Sequence, residues 1–324
     1  VPDAATADDI RAFTLVPPSG YVRVAEGTGA PGPEAGWAIT GISPTWATSG
    51  LRPRLTGVPV ATLTRTPTMS SGPVNIPTQF SRPTFTRAVT ESARADARTI
   101  APFAAVGRLE ARFTSAGEQR SETCTAWVVA ERVVVTAAHC VFRPFPSGVG
   151  GTPAGTITFA PQYHGEPTVG VWVGTRSYTL SGWVAPDAGQ NRALHDFAVV
   201  VLDRPLAEVT GTLGLLARRA PEGAVLSLGY PLFPTQDWPT FDGRFLYVSH
   251  GEILGRNGGE LEARNELTEG SSGGPWLILH DGQPVAVGIN STKSVGSDDT
   301  TFSPIFSDSL LKLVGRALAD LTGV

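Results

Sequence analysis

From about Thr99 onward, short apolar runs alternate with clusters of polar, Gly and Pro residues. That spacing predicts strands at 106–113, 125–130, 132–138, 155–160, 170–178, 197–202, 224–229, 245–253, 275–280 and 284–290, as in an all-β barrel or sandwich. One stretch departs from it. In residues 307–321 the apolar positions Leu310, Leu311, Val314, Leu318 and Leu321 recur at three- and four-residue steps, which predicts a C-terminal helix with one apolar face. Ser307 or Asp308 is placed to cap its start.

The first 98 residues have a different texture, rich in Pro, Thr, Ser, Gly and Ala. Pro53, Pro59, Pro67, Pro73, Pro77 and Pro83 exclude a long helix and the centre of a sheet. The segment reads as mostly extended, with short edge strands around Val22 and Trp37. Its Phe13, Trp37, Trp46, Phe80 and Phe85 need a surface to cover them. Two readings stand: a pro-segment lying over the body, or a purely structural arm.

The 324 residues suffice for one large domain or two ordinary ones, and 37 Gly with 27 Pro suit short strands and many turns. A formal net charge of −4, with no basic block interleaved with aromatics, argues against nucleic acid as a partner. No apolar run reaches the ~18 residues that a membrane span needs. Two cysteines, Cys124 and Cys140, lie in apolar strand-like surroundings, either as buried thiols or as one disulfide stapling neighbouring strands. The disulfide would require an oxidising compartment. Export is therefore the expectation, and a chain that starts at Val1 rather than Met fits a signal peptide already removed. With no CxxC or HExxH spacing, no metal site is expected.

Three stretches carry chemistry. In Val133-Val134-Val135-Thr136-Ala137-Ala138-His139-Cys140 a β-branched run ends in small residues and presents His139 at its rim. In His195-Asp196-Phe197-Ala198-Val199-Val200-Val201-Leu202 an aspartate enters a wholly apolar strand, which is costly unless a donor such as an imidazole N–H meets it. In Gly270-Ser271-Ser272-Gly273-Gly274-Pro275-Trp276 glycines flank a serine and allow a tight turn with inward N–H groups. Each signal has a plainer explanation alone: a partly buried histidine, a loop cap, a flexible Gly/Ser loop. Together, in the order His, Asp, Ser, they read as a catalytic triad of His139, Asp196 and Ser272.

These blocks resemble the chymotrypsin-like serine peptidases. The chain is most similar to their bacterial glutamyl endopeptidase branch, through Asp96-Ala97-Arg98-Thr99 before Pro102-Phe103, through Leu228-Gly229-Tyr230-Pro231, and through Ser249-His250-Gly251-Glu252-Ile253. The resemblance covers roughly residues 96–322. It implies two packed six-stranded antiparallel β-barrels with the site in the cleft between them, followed by the C-terminal helix. The expected divisions are an extended segment 1–95, a first barrel 96–210 with His139 and Asp196, and a second barrel 211–324 with Ser272. It also implies a Cys124–Cys140 disulfide, protein or peptide substrates, no cofactor, and an oxyanion hole of the Gly270 and Ser272 N–H groups; the sequence does not name the oligomeric state, and a monomer is the expectation. Ser291 would hydrogen-bond the aspartate. Processing of a zymogen would fall between about Arg87 and Arg98, with Arg87, Glu91, Arg94 and Arg98 as cut points.

Two departures from the family matter. Many members carry an aspartate before the catalytic serine that pairs with a new N-terminus, where this chain has Ser271. Glutamyl endopeptidases carry a histidine in the pocket strand, where this chain has Asn290. The expected substrate pocket comprises Glu266, Thr268, Asn290 and Ser291, with Glu269 near its mouth. Glu266 as a pocket floor, with Glu269, favours cleavage after Arg or Lys, whereas the branch resemblance points to Glu, whose side chain Thr268 and Asn290 could hydrogen-bond; of the two, the expectation is Arg or Lys. The competing functions are a catalytically silent peptidase fold used for binding, which a fluorophosphonate probe would expose, and an ester hydrolase, which ester-against-protein turnover would separate.

Overall fold

The computed structural model describes residues 9–17, 38–40, 54–56, 85–89, 97–99, 101–115, 117–145, 150–185, 191–218, 221–235, 239–280, 283–294 and 299–322. The edge strand expected near Val22, and the residues Trp37, Trp46 and Phe80, lie outside them.

The first half closes into a six-stranded antiparallel barrel. Trp172–Leu180, Thr156–Pro161, Val106–Ser115, Glu118–Ala130, Val133–Thr136 and Ala198–Leu202 pair in that order, and Trp172–Leu180 returns to pair with Ala198–Leu202. The all-valine and all-apolar runs are explained by their position. Val133–Thr136 and Ala198–Leu202 face the barrel interior on one side and the C-terminal helix on the other, so every residue of both is buried. The second half is a nine-stranded sheet. Its path runs Gly214–Leu215, Gln283–Ile289, Pro275–His280, Gly223–Gly229, Tyr247–Asn257, Glu260–Arg264, Thr300–Pro304 and Thr292–Lys293, and the described pairings leave this path open. One core cluster joins the halves, with Leu228, Tyr230, Leu246 and Ile289 of the second packed among the first barrel's residues.

The extended segment contributes strands to both halves. Ile10–Thr14 pairs in full register with residues 176–180, Leu15 is buried, and Phe13 stacks on Phe142 at 5.4 Å. Phe85–Ala88 pairs with residues 247–250, and Val89 N–H donates to Leu246 O at 2.8 Å.

The helix spans Asp308–Thr322 and Ser307 caps it, its Oγ accepting from Ser309 N at 3.2 Å. Its buried stripe is Leu310, Leu313, Val314 and Ala317, while the expected Leu311, Leu318 and Leu321 are only partly buried. The difference is a rotation of the stripe by about one residue: the helix beds against first-barrel strands through small Ala317 as well as through leucines. Tyr178 OH donates to Asp320, which Arg176 (2.5 Å) and Arg316 (3.1 Å) also engage. The C-terminal helix of the second half is thereby fastened to the first.

Candidate active site

His139 lies in a one-turn 3-10 segment, Ala138–Cys140, at the end of the Val133–Thr136 strand. The Cys124–Cys140 disulfide pins that turn to the neighbouring strand. Asp196 ends the 3-10 turn Arg192–His195 and enters the next strand with 0% exposure. The cost of burying a carboxylate is offset by three donors. His139 N–H gives to Oδ1 at 2.9 Å, His139 Nδ1 lies 2.8 Å from Oδ2, and Ser291 Oγ donates to Oδ2 at 2.6 Å.

These contacts set the electrostatics of the pair. Burial alone would push the His139 pKa down, but the charge and hydrogen bond of Asp196, with Glu122 beyond, leave it above its ordinary value. Burial alone would raise Asp196. The charge of His139 and the donors from its ring, from Ser291 and from the His139 backbone outweigh that and leave the carboxyl below its ordinary value. His139 keeps 29% of its side chain exposed, and the Trp183 ring centroid lies 6.3 Å from its own.

The Ser272 loop is seated on the first barrel. Ser272 O accepts from Thr125 N at 2.8 Å, and Gly270 O accepts from Thr125 Oγ1 at 2.9 Å. Gly273, at φ +83°, abuts the strand that leads to His139, and a Cβ there would lie 2.2 Å from Thr136 Oγ1 and 2.7 Å from Ala137 N. Gly270, at φ +92°, would put a Cβ 2.5 Å from Tyr230 O. Both positions therefore require glycine, for conformation and for space. Among the described residues the Ser272 hydroxyl makes no hydrogen bond to the imidazole, a contact that is often loose before substrate binds.

A cavity of about 80 Å³ beside Ser272 is lined by residues that include Thr268, Glu269, Ser291 and Lys293. Its lining does not include Glu266, the residue expected at the pocket floor. Asn290 lines the cavity, but its side chain is spent: Nδ2 donates to Leu228 O and Ser271 O, and Oδ1 accepts from Ser227, Asn265 and Trp276. The Thr268 hydroxyl is likewise committed to Phe233 O at 2.8 Å. Neither has a side-chain donor left for a substrate carboxylate. Lys293 and Thr125 were not singled out from sequence, because a lysine past the pocket strand and a threonine in an apolar strand carry no motif. The sole candidate metal cluster among the described residues is Cys124, His139 and Cys140, and two of those three are joined in the disulfide and offer no thiolate.

A family model for the trypsin-like peptidase domain matches residues 124–287, just over half the chain and spanning His139, Asp196 and Ser272. The chain belongs to this family of trypsin-like peptidases, and with it to the serine endopeptidases. Over 93 residues it is 28% identical to a glutamyl endopeptidase of Bacillus licheniformis, a match that covers 28% of this chain and 27% of that protein's length. Three solved structures share its fold, each at a TM-score of 0.55. A thermostable serine protease, AL20, from an extremophilic microorganism is 23% identical, over 66% of this chain and 96% of that one. The protease Anisep from Arthrobacter nicotinovorans is 24% identical, over 68% and 98%. A Glu endopeptidase in complex with MPD is 17% identical, over 72% and 96%.

Proposed function

We propose that this chain is an exported endopeptidase that hydrolyses peptide bonds through an acyl-enzyme on Ser272. The observation that carries the reading is the pair of buried Asp196 and partly exposed His139, 2.8 Å apart, beside a serine loop hydrogen-bonded to the same barrel. His139 takes the proton of Ser272 as its Oγ attacks the scissile carbonyl, then delivers it to the leaving amine. Asp196 holds the Nδ1–H tautomer and stabilises the imidazolium. The N–H groups of Gly270 and Ser272 receive the oxyanion, one such donor being worth ~3 kcal/mol of barrier. Export is supported by the disulfide, and no helix among the described residues is long and apolar enough to cross a membrane. We place the working body in residues 96–210 and 211–324, with the arm before them.

The side chain N-terminal to the cut is charged in this reading. The case for Arg or Lys passes from Glu266 to Glu269, and the case for Glu passes to Lys293, since both line the cavity. Paired Arg and Glu peptides decide the sign: Glu269→Gln should weaken cleavage after Arg, or Lys293→Gln cleavage after Glu. A preference for large apolar residues would defeat both. The test of the whole reading is a fluorophosphonate probe with the labelled peptide mapped by mass. Labelling at Ser272 that is lost in His139→Ala is the expected result. Failure to label, or labelling at Ser271, would overturn it.

A further inference from the structure

The two proposed oxyanion donors belong to the peptide units Glu269–Gly270 and Ser271–Ser272. A trans peptide points its C=O and N–H in opposite directions, so whatever holds the carbonyl aims the N–H. Glu269 C=O accepts from Leu232 N at 2.7 Å. Ser271 C=O accepts from Gly274 N at 2.9 Å and from Asn290 Nδ2 at 3.2 Å. The Gly270 and Ser272 N–H groups donate to no acceptor among the described residues, so both remain available.

Asn290 is the centre of this arrangement. It is 5% exposed and all its hydrogen-bonding capacity is used. Besides Ser271 O, its Nδ2 holds Leu228 O at 3.1 Å, while Oδ1 receives Ser227 Oγ (2.7 Å), Trp276 Nε1 (2.8 Å) and Asn265 Nδ2 (3.1 Å). A flipped carboxamide would set its NH₂ against the indole N–H and the Asn265 amide, and its oxygen against two carbonyls. The orientation is therefore over-determined. Ser271, which stands where many relatives carry an aspartate that awaits a new N-terminus, donates its hydroxyl to Thr268 O at 2.6 Å. Nothing in this neutral network needs an incoming charge.

Building on the proposed function, we infer that Asn290 is a positioning residue that turns the Ser271–Ser272 peptide so its N–H faces the cleft, and that the oxyanion hole stands assembled in the uncut chain. Activity then does not wait on cleavage between Arg87 and Arg98. The strand Phe85–Ala88, which runs into the start of that stretch, is already paired into the second sheet.

The test uses the full chain and Asn290→Asp, which keeps the shape but faces the Ser271 and Leu228 carbonyls with an acceptor. Asn290→Ser, whose smaller polar site water can fill, stands in if the first variant does not fold. Active sites are titrated with the fluorophosphonate probe. The expected result is kcat per titrated site lower by about 10²-fold with KM within a few-fold, the loss being of the size seen when one oxyanion donor is removed. Affinity for a peptide aldehyde, whose adduct carries the oxyanion, should fall in parallel, while affinity for the product peptide holds. A merely structural role would lower the melting temperature and the titrated fraction but leave kcat per site unchanged, and that outcome overturns the inference. So does a wild-type chain, verified uncut by mass, that labels only after trimming. A wild type that never labels at either stage overturns the proposed function itself.

Discussion

Asp196→Asn tests the site most sharply, because the surrounding donors dictate where the new amide group must go. Oδ1 faces the His139 backbone N–H at 2.9 Å, and an NH₂ there would set two donors head to head. The NH₂ must therefore occupy the Oδ2 position, against His139 Nδ1, while the Ser291 hydroxyl can turn to accept from it. Nδ1 then becomes an acceptor, the ring proton moves to Nε2, and the ring can no longer take a proton from Ser272. The same substitution elsewhere in this mechanism costs ~10⁴ in kcat, which at ~1.36 kcal/mol per decade is about 5.4 kcal/mol of barrier. The assay is kcat on a peptide substrate near pH 8, with thermal unfolding to confirm a folded variant. Ser291→Ala, which leaves the tautomer intact, should lose far less. A folded Asp196→Asn enzyme within ~10-fold of wild type would refute the argument that this carboxylate sets the tautomer.

Three further outcomes are expected. Because the proposed base works as neutral imidazole and the net effect of burial and Asp196 is a raised His139 pKa, the acid limb of kcat/KM should lie above the ordinary 6.5. For stability, the His139 contribution is present below its unfolded pKa and fades as pH rises through the folded one, and the Asp196 contribution is lost as pH falls through a value below 3.8; titration by NMR and unfolding against pH would contradict this if the limb fell below 6. Mass analysis without reductant should find no free thiol, and reduction should cost ~3 kcal/mol of stability for a loop of about 15 residues; two thiols that alkylate freely would refute the bond. Deleting residues 1–17 should lower the melting temperature without raising turnover, since it removes a paired strand, buried Leu15 and the Phe13–Phe142 stack; a gain in turnover would show that the arm inhibits.

Elements with strong local signals were legible from the chain alone. The Val133–Thr136 and Ala198–Leu202 strands are runs of β-branched or apolar residues, buried on both faces, and no other element suits them. Glu260–Arg264 was missed although its burial alternates residue by residue, with Leu261 and Ala263 buried and the charged residues only partly so. Three charged residues in five masked a period that only two short apolar positions carried. Ile10–Thr14 and Phe85–Ala88 were read as part of an extended segment, because a strand that adds to an existing edge needs no pattern of its own.

The spacing of short apolar runs determined an all-β chain, the resemblance of three blocks implied the double barrel, and their order made His139, Asp196 and Ser272 the candidates, because each block couples a reactive side chain to a local backbone requirement: a strand end, a buried entry, a glycine turn. What the sequence alone could not assign is which polar side chains have hydrogen-bonding capacity to spare. Asn290 and Thr268 were expected to meet substrate, and the tertiary structure commits both inward, while Glu266 falls outside the cavity lining and Lys293 comes into it. That allocation depends on partners 14, 25 and 63 residues away in the chain, Trp276, Asn265 and Ser227 around one carboxamide. A local pattern specifies what a segment buries, whereas only the packed fold decides which donors and acceptors are already taken.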